Sequence, residues 1–173
     1  RKDLHSLIRM VSAIPEIEDI SLSTNAVLLA EQGEQLRDAG VNRVNISLDS
    51  LHADRVDAIA RRPNSFGRIM AGLDAAEDLG FEPIKINVVL IGGQNDDEIE
   101  SFALITKHRP WHVRFIELMP TGSNLELSMD NYVSCQHALA RIRKLGTLEP
   151  AEGPAGNGPA TYFRFPDGQG TVG

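Results

Sequence analysis

The chain has 173 residues, 42% hydrophobic and 24% charged, with a formal net charge of -7. That suits a globular core of useful size and, with no basic block, excludes general nucleic-acid binding, which needs clustered Lys and Arg. No apolar run approaches membrane-spanning length, and the single cysteine, Cys135, allows no internal disulfide, so a reducing, cytoplasmic setting is expected. A helix signal begins at once after Arg1, and a strand-turn pattern runs up to Gly173. A piece of a longer protein is therefore expected.

Asp3 caps a predicted helix with apolar positions Leu4, Leu7, Ile8, Val11 and Ile14, ended by Pro15. Residues 20–25 alternate and read as a strand. A short helix follows from Leu29 to Ala39, closed by Gly40. Residues 43–49 alternate again, with Val44, Ile46 and Leu48 against Asn45, Ser47 and Asp49. Asp49 or Ser50 is expected to cap the next helix, which reaches Ala60 and breaks at 61–64. A further amphipathic helix carries Phe66, Ile69, Leu73 and Ala76 up to Gly80. The third strand is predicted over 84–90, then a Gly92-Gly93 turn and a helix opened by Asp96 and Asp97.

The fourth strand, 112–118, carries Glu117 near its end and breaks at Met119-Pro120, with a turn at Thr121-Gly122. Glu117 reads either as a surface residue or as a carboxylate at the ligand-binding end of a strand. Beyond it, a helix is expected from Ser128 to Leu145 and a Gly/Pro/Ala-rich loop from Pro150 to Pro159. A strand at 160–165, an Asp167-Gly168 turn and a hairpin partner close the chain.

Strands alternating with helices predict an α/β fold with a parallel sheet. Such strands normally read apolar on both faces. Here one face repeats Ser21, Ser23, Asn25, Asn45, Ser47, Asp49, Lys85 and Asn87, and Glu117 is assigned to it as well. The expectation is an open, partial barrel around a polar ligand. Residues 1–122 would form the barrel core and 123–173 a C-terminal extension.

Asn25, Asn45, Ser23 and Ser47 offer neutral hydrogen bonds suited to a nucleoside or sugar. Lys85 is expected to take a phosphate or carboxylate as a point charge; a Schiff-base role stays open, although Lys85 lies at the start of its strand. Met119 could contact a purine ring or simply pack in the core. The histidines have no metal-ligand spacing, and Gly92-Gly93 is not a phosphate-binding fingerprint. Cys135, with His137 nearby, reads as an ordinary helix cysteine before a nucleophile. No catalytic residue and no metal ligand is assigned within the chain. The residues alone support a small polar ligand in an open α/β barrel.

Ordered runs across 1–122 resemble a known family. They are Arg1 to Leu4, Ser23-Thr24-Asn25, Val44 to Ser50, Gly72 to Gly80, Lys85 to Val89, Asn95 to Ile99 and Arg114 to Pro120. Gly158-Pro159-Ala160 and Gly168 to Gly173 resemble a later family stretch, whereas 123–157 match poorly. The family is the MoaA-type GTP 3′,8-cyclases of molybdenum cofactor biosynthesis, which are radical S-adenosylmethionine enzymes. The resemblance implies a partial TIM-type parallel barrel, with this chain as its middle part, truncated at both ends. It implies S-adenosylmethionine contacts at Ser47 and Met119 and GTP contacts at Ser23 and Lys85. Asn25, Asn45, Asn87 and Glu117 would be further contacts inside the barrel. It implies two 4Fe–4S clusters whose cysteines lie outside this chain, so the chain alone is expected to be inactive. Family members usually carry threonine where Ser23 stands and glycine where Ala26 stands. A homodimer stays open, as do a non-redox barrel lyase using Lys85 and a plain ligand-binding module.

Overall fold

The computed structural model describes residues 3–119, 130–154 and 158–173. The predicted break at Pro120, the Thr121-Gly122 turn and the expected helix start at Ser128 lie outside these residues. The chain divides into two compact units: Arg1–Ser47 with His52–Ile84, and Leu48–Leu51 with Lys85–Gly173.

The first unit runs α1 (Leu4–Ser12), β1 (Ser21–Thr24), α2 (Leu29–Asp38), β2 (Arg43–Ser47), α3 (Ala53–Ala60) and α4 (Ser65–Asp78). β1 and β2 pair in parallel, with Leu22 beside Val44 and Ser23 beside Asn45. Val44 and Ile46 are fully buried while Asn45 is half-buried and Ser47 exposed, so the alternation in the sequence is the two faces of the strand. α4 packs on α2, burying Leu36, Leu73 and Ala76. The break between α3 and α4 places Arg61 and Asn64 in left-handed backbone, φ 50° and 59°. Asp57 stabilises that turn by accepting the amides of Asn64 and Ser65, each at 2.8 Å, at the start of α4.

The expected cap of α3 is corrected. The helix starts at Ala53 with His52 in the cap position and no side-chain cap bond. Asp49 and Ser50 are engaged in the second unit instead, on Val89 and Glu98.

The second unit contains nearly all of β3 (Ile84–Leu90), a 3₁₀ turn (Asp96–Glu98), α5 (Ile99–His108), β4 (Trp111–Glu117) and α6 (Cys135–Ile142). A second 3₁₀ turn (Arg143–Leu145) leads to β5 (Glu149–Ala151), β6 (Tyr162–Arg164) and β7 (Thr171–Val172). Its strands lie in the order β3-β4-β7-β6-β5. β7 pairs in parallel with β4, His112 beside Thr171 and Val113 beside Val172, and β6 pairs antiparallel with both β7 and β5. Trp111, Val113 and Phe115 are buried on the helix side, and Phe115 meets Phe102 of α5 edge-on, ring centres 6.4 Å apart.

Two expectations are revised here. Of the span expected as one helix from Ser128 to Leu145, the described residues show Asp130 helical and then a separate helix from Cys135 to Ile142, which Ser134 caps by accepting the His137 amide at 3.1 Å. Within the expected loop of 150–159, Pro150 and Ala151 belong to β5, Pro150 pairing with Phe163. Proline is tolerated there because β5 ends the strand order.

Candidate functional site

The first unit presents a neutral polar row. Ser23 and Asn25 at the end of β1, and Ser47 at the end of β2, are exposed. Asn45 donates its amide to the Ser21 hydroxyl at 2.8 Å. The Asn25 side-chain oxygen accepts the Val27 amide at 3.3 Å, an Asx turn that fixes its direction. Next to it, Ala26 is fully buried at φ 59°, left-handed backbone that favours glycine. This turn follows directly on Ser23. Arg43, at the other end of β2, is held by Asp19 through its guanidinium, Nε to Oδ1 at 2.9 Å.

The second unit presents a charged row. Lys85 is buried, 3% exposed, near the start of β3, and Asn87 follows two residues on. Arg114 of β4 donates from Nε to the Asn87 oxygen at 2.8 Å. A hydrogen bond of 2.8 Å joins His112 Nδ1 and Thr171 Oγ1. Burial pushes the His112 pKa down to about 4, and the charges of Lys85, Arg164 and Arg114 push the same way. The imidazole is therefore neutral at pH 7, ringed by three cations. Such a row suits an anion with several oxygens.

Glu117 is not part of that row, contrary to expectation. It shares the parity of Val113 and Phe115, not of His112 and Arg114, and accepts the Cys135 amide at 2.9 Å at the start of α6. That bond and one from the Tyr132 hydroxyl hold its carboxyl below the usual range. The same parity brings His112 and Arg114 onto the polar face, where sequence reasoning had placed only Lys85 as a cation. The signal was legible: Val113 and Phe115 are apolar, so their neighbours must face the other way. Met119, just after β4, is 68% exposed and does not pack in a core.

On the helix side of the second unit lies an apolar groove of about 300 Å³, lined by Phe115, Leu139, Ile142 and Phe163 among others. Its walls offer little hydrogen bonding, so the polar rows carry the better case for a polar ligand. Cys135 borders the groove. Burial and the Glu117 charge raise its thiol pKa, and its Sγ donates to the Phe115 carbonyl at 3.4 Å, so it is no reactive thiolate.

The radical SAM superfamily model matches residues 1–104. Curated relatives described as GTP 3′,8-cyclase cover the whole chain. That of Pelotomaculum thermopropionicum is 49% identical, with 53% of its own length covered. Those of Listeria monocytogenes serotype 4b and Moorella thermoacetica are 46% and 44% identical, with 52% and 53% covered. The chain spans about half the length of the curated relatives it matches. Among solved structures, coproporphyrinogen III oxidase (HemN) from Escherichia coli, a radical SAM enzyme, matches with a TM-score of 0.53 at 18% identity. That match covers 83% of this chain and 35% of the oxidase, and it shows the fold: α/β, of the partial TIM-type class expected from the sequence. With over half of its length matched by the family model, the chain belongs to the radical SAM superfamily.

Proposed function

We propose that this chain is the central part of a GTP 3′,8-cyclase, which converts GTP to 3′,8-cyclo-7,8-dihydro-GTP in molybdenum cofactor biosynthesis. The observation that carries the reading is the run of relatives of that name along the entire chain at 44–49% identity. The charged row of Lys85, Arg114 and Arg164 supports it, because a triphosphate needs several cationic donors. In this reading Ser23 and Lys85 contact GTP, while Ser47 and Met119 contact S-adenosylmethionine. Asn25, Asn45 and Asn87 supply neutral hydrogen bonds. The full-length protein works in the cytoplasm.

Membership of the superfamily implies S-adenosylmethionine and a 4Fe–4S cluster. The neutral hydroxyl and amide groups of the first unit fit the ribose and amino-acid ends of S-adenosylmethionine. That cofactor supplies the radical when bound. The protein's own residues bind, orient and screen the substrate. The cluster does not fit this chain: a cubane needs several thiolates, and Cys135 is the one cysteine. No group of three His, Cys, Asp or Glu among the described residues could hold a metal ion. Two clusters, with ligands from other parts of the full-length protein, complete the proposal.

The test is turnover by the full-length protein, its clusters assembled without oxygen, given GTP and S-adenosylmethionine under reducing conditions. Formation of 5′-deoxyadenosine together with a cyclised guanine nucleotide is expected. 5′-Deoxyadenosine formed at the same rate without GTP would reject GTP as the substrate.

A further inference from the structure

Glu98 is a carboxylate with 2% exposure. A charge in that position is costly unless its oxygens are bonded. Its Oε1 accepts the hydroxyl of Ser50 at 2.7 Å, and its Oε2 accepts the amide of Leu51 at 2.5 Å. Ser50 is itself fully buried. Three residues earlier, Asn95, 3% exposed, donates to the carbonyls of Asp49 at 2.7 Å and Val89 at 2.8 Å. The Asn95 side-chain oxygen accepts the Ile91 amide at 2.8 Å. Asp49 accepts the Val89 amide at 2.9 Å.

Each of residues 49, 50 and 51 is thus tied to residues 89–98 by a side chain. That segment has no helix or strand of its own; it connects β2 to α3. It begins one residue after Ser47, and its first residue, Leu48, donates its amide to the Asn87 carbonyl at 3.0 Å. An apolar plug would hold such a loop in place but would not fix its direction. A carboxylate taking two donors at once fixes both.

We propose that Glu98 is a positioning residue for S-adenosylmethionine binding, clamping the Leu48–Leu51 segment so that the exposed Ser47 hydroxyl is held in its binding orientation. This rests on the reading of Ser47 given under the proposed function. Glu98 touches no ligand; it acts through Ser50 and Leu51. The Asn95-Asp96-Asp97-Glu98 run, conspicuous in the sequence yet without a role in the chemistry, then has one.

The experiment uses the full-length protein with assembled clusters and titrates S-adenosylmethionine and GTP separately by calorimetry, alongside thermal melting. Glu98→Gln keeps the volume but points an amide NH₂ at one of two donors. It should weaken S-adenosylmethionine binding about tenfold, the effect of one lost charge-assisted hydrogen bond, and leave GTP binding unchanged. Ser50→Ala removes one bond and leaves the Leu51 contact, so a smaller loss in the same direction is expected. The split between the two ligands is the readout that a merely structural role would not produce. Unchanged S-adenosylmethionine affinity in both variants would overturn the proposal. So would a fall of both affinities in step with the melting temperature. Wild-type protein that binds neither ligand would reject the functional reading itself, and the positioning role with it, before any variant is compared.

Discussion

Gly72 of α4 lies against the carbonyl of Ala26: a Cβ built on it would stand 2.3 Å from that oxygen and 3.2 Å from the carbonyl carbon. The helix therefore touches the turn that follows Ser23 and Asn25 with bare backbone. Gly72→Ala should cost about 2–3 kcal/mol, because the clash is with main chain that cannot swing aside. Gly67→Ala is the control, since a Cβ there meets nothing within 4 Å on the same helix. It should be neutral or stabilise by about 0.5 kcal/mol through helix propensity. Urea unfolding midpoints compare the two; equal midpoints would refute the close approach.

In the full-length protein, Lys85→Ala and Arg114→Ala should each weaken GTP binding more than S-adenosylmethionine binding. A hydrogen bond to a charged group is worth about 1.5–3 kcal/mol, so the loss should be about tenfold to a hundredfold. Arg114→Ala also frees the Asn87 oxygen that it now holds at 2.8 Å. Separate titrations with each ligand decide the matter, and a loss shared equally between them would count against an anion row.

His112 predicts an acid limit on stability. Its pKa falls from 6.5 to about 4 on folding, so the unfolded chain binds its proton first as pH drops. Stability conferred by the neutral ring is complete above pH 6.5 and is lost between there and about pH 4. The groups whose charges push the same way are Lys85, Arg114 and Arg164, with Thr171 bonded to its Nδ1. Melting temperature against pH should fall on acidification, and His112→Gln should flatten that fall. A parallel curve for the variant would acquit His112.

Cys135 should alkylate slowly. Burial and the Glu117 charge raise its pKa, so little thiolate exists at pH 7. Iodoacetamide labelling is expected to lag behind that of free cysteine, and Glu117→Gln should speed it by removing the neighbouring charge. A rate above that of free cysteine would mean that the thiol is activated.

The alternating strands were legible because period two is strong where one face meets helices and the other does not. Residues 84–90 form β3 over the predicted span, and Ser47 is exposed where the pattern set it. One parity error on β4 cost two assignments: putting Glu117 on the polar face hid Arg114 and His112 behind it. The roles of Asn95 and Glu98 were not legible, because their partners at 49–51 are remote in sequence and are joined by side chains, which leave no periodicity. The short strand β5 fell below what pattern can detect because it contains a proline, whereas β7 is the hairpin partner expected after the Asp167-Gly168 turn.

The place of β7 bears on the order of synthesis. Thr171 meets His112 across 59 positions of chain, so the edge of β4 that β7 covers stays open until residues 171–172 have been made. During translation that edge offers open amides and carbonyls beside buried Val113, a template for pairing with another nascent chain. Closing so distant a pair is slow compared with helix formation. The burden on chaperones should therefore fall between the emergence of β4 and that of Thr171. A ribosome stalled in that interval would hold the most aggregation-prone form of this polypeptide.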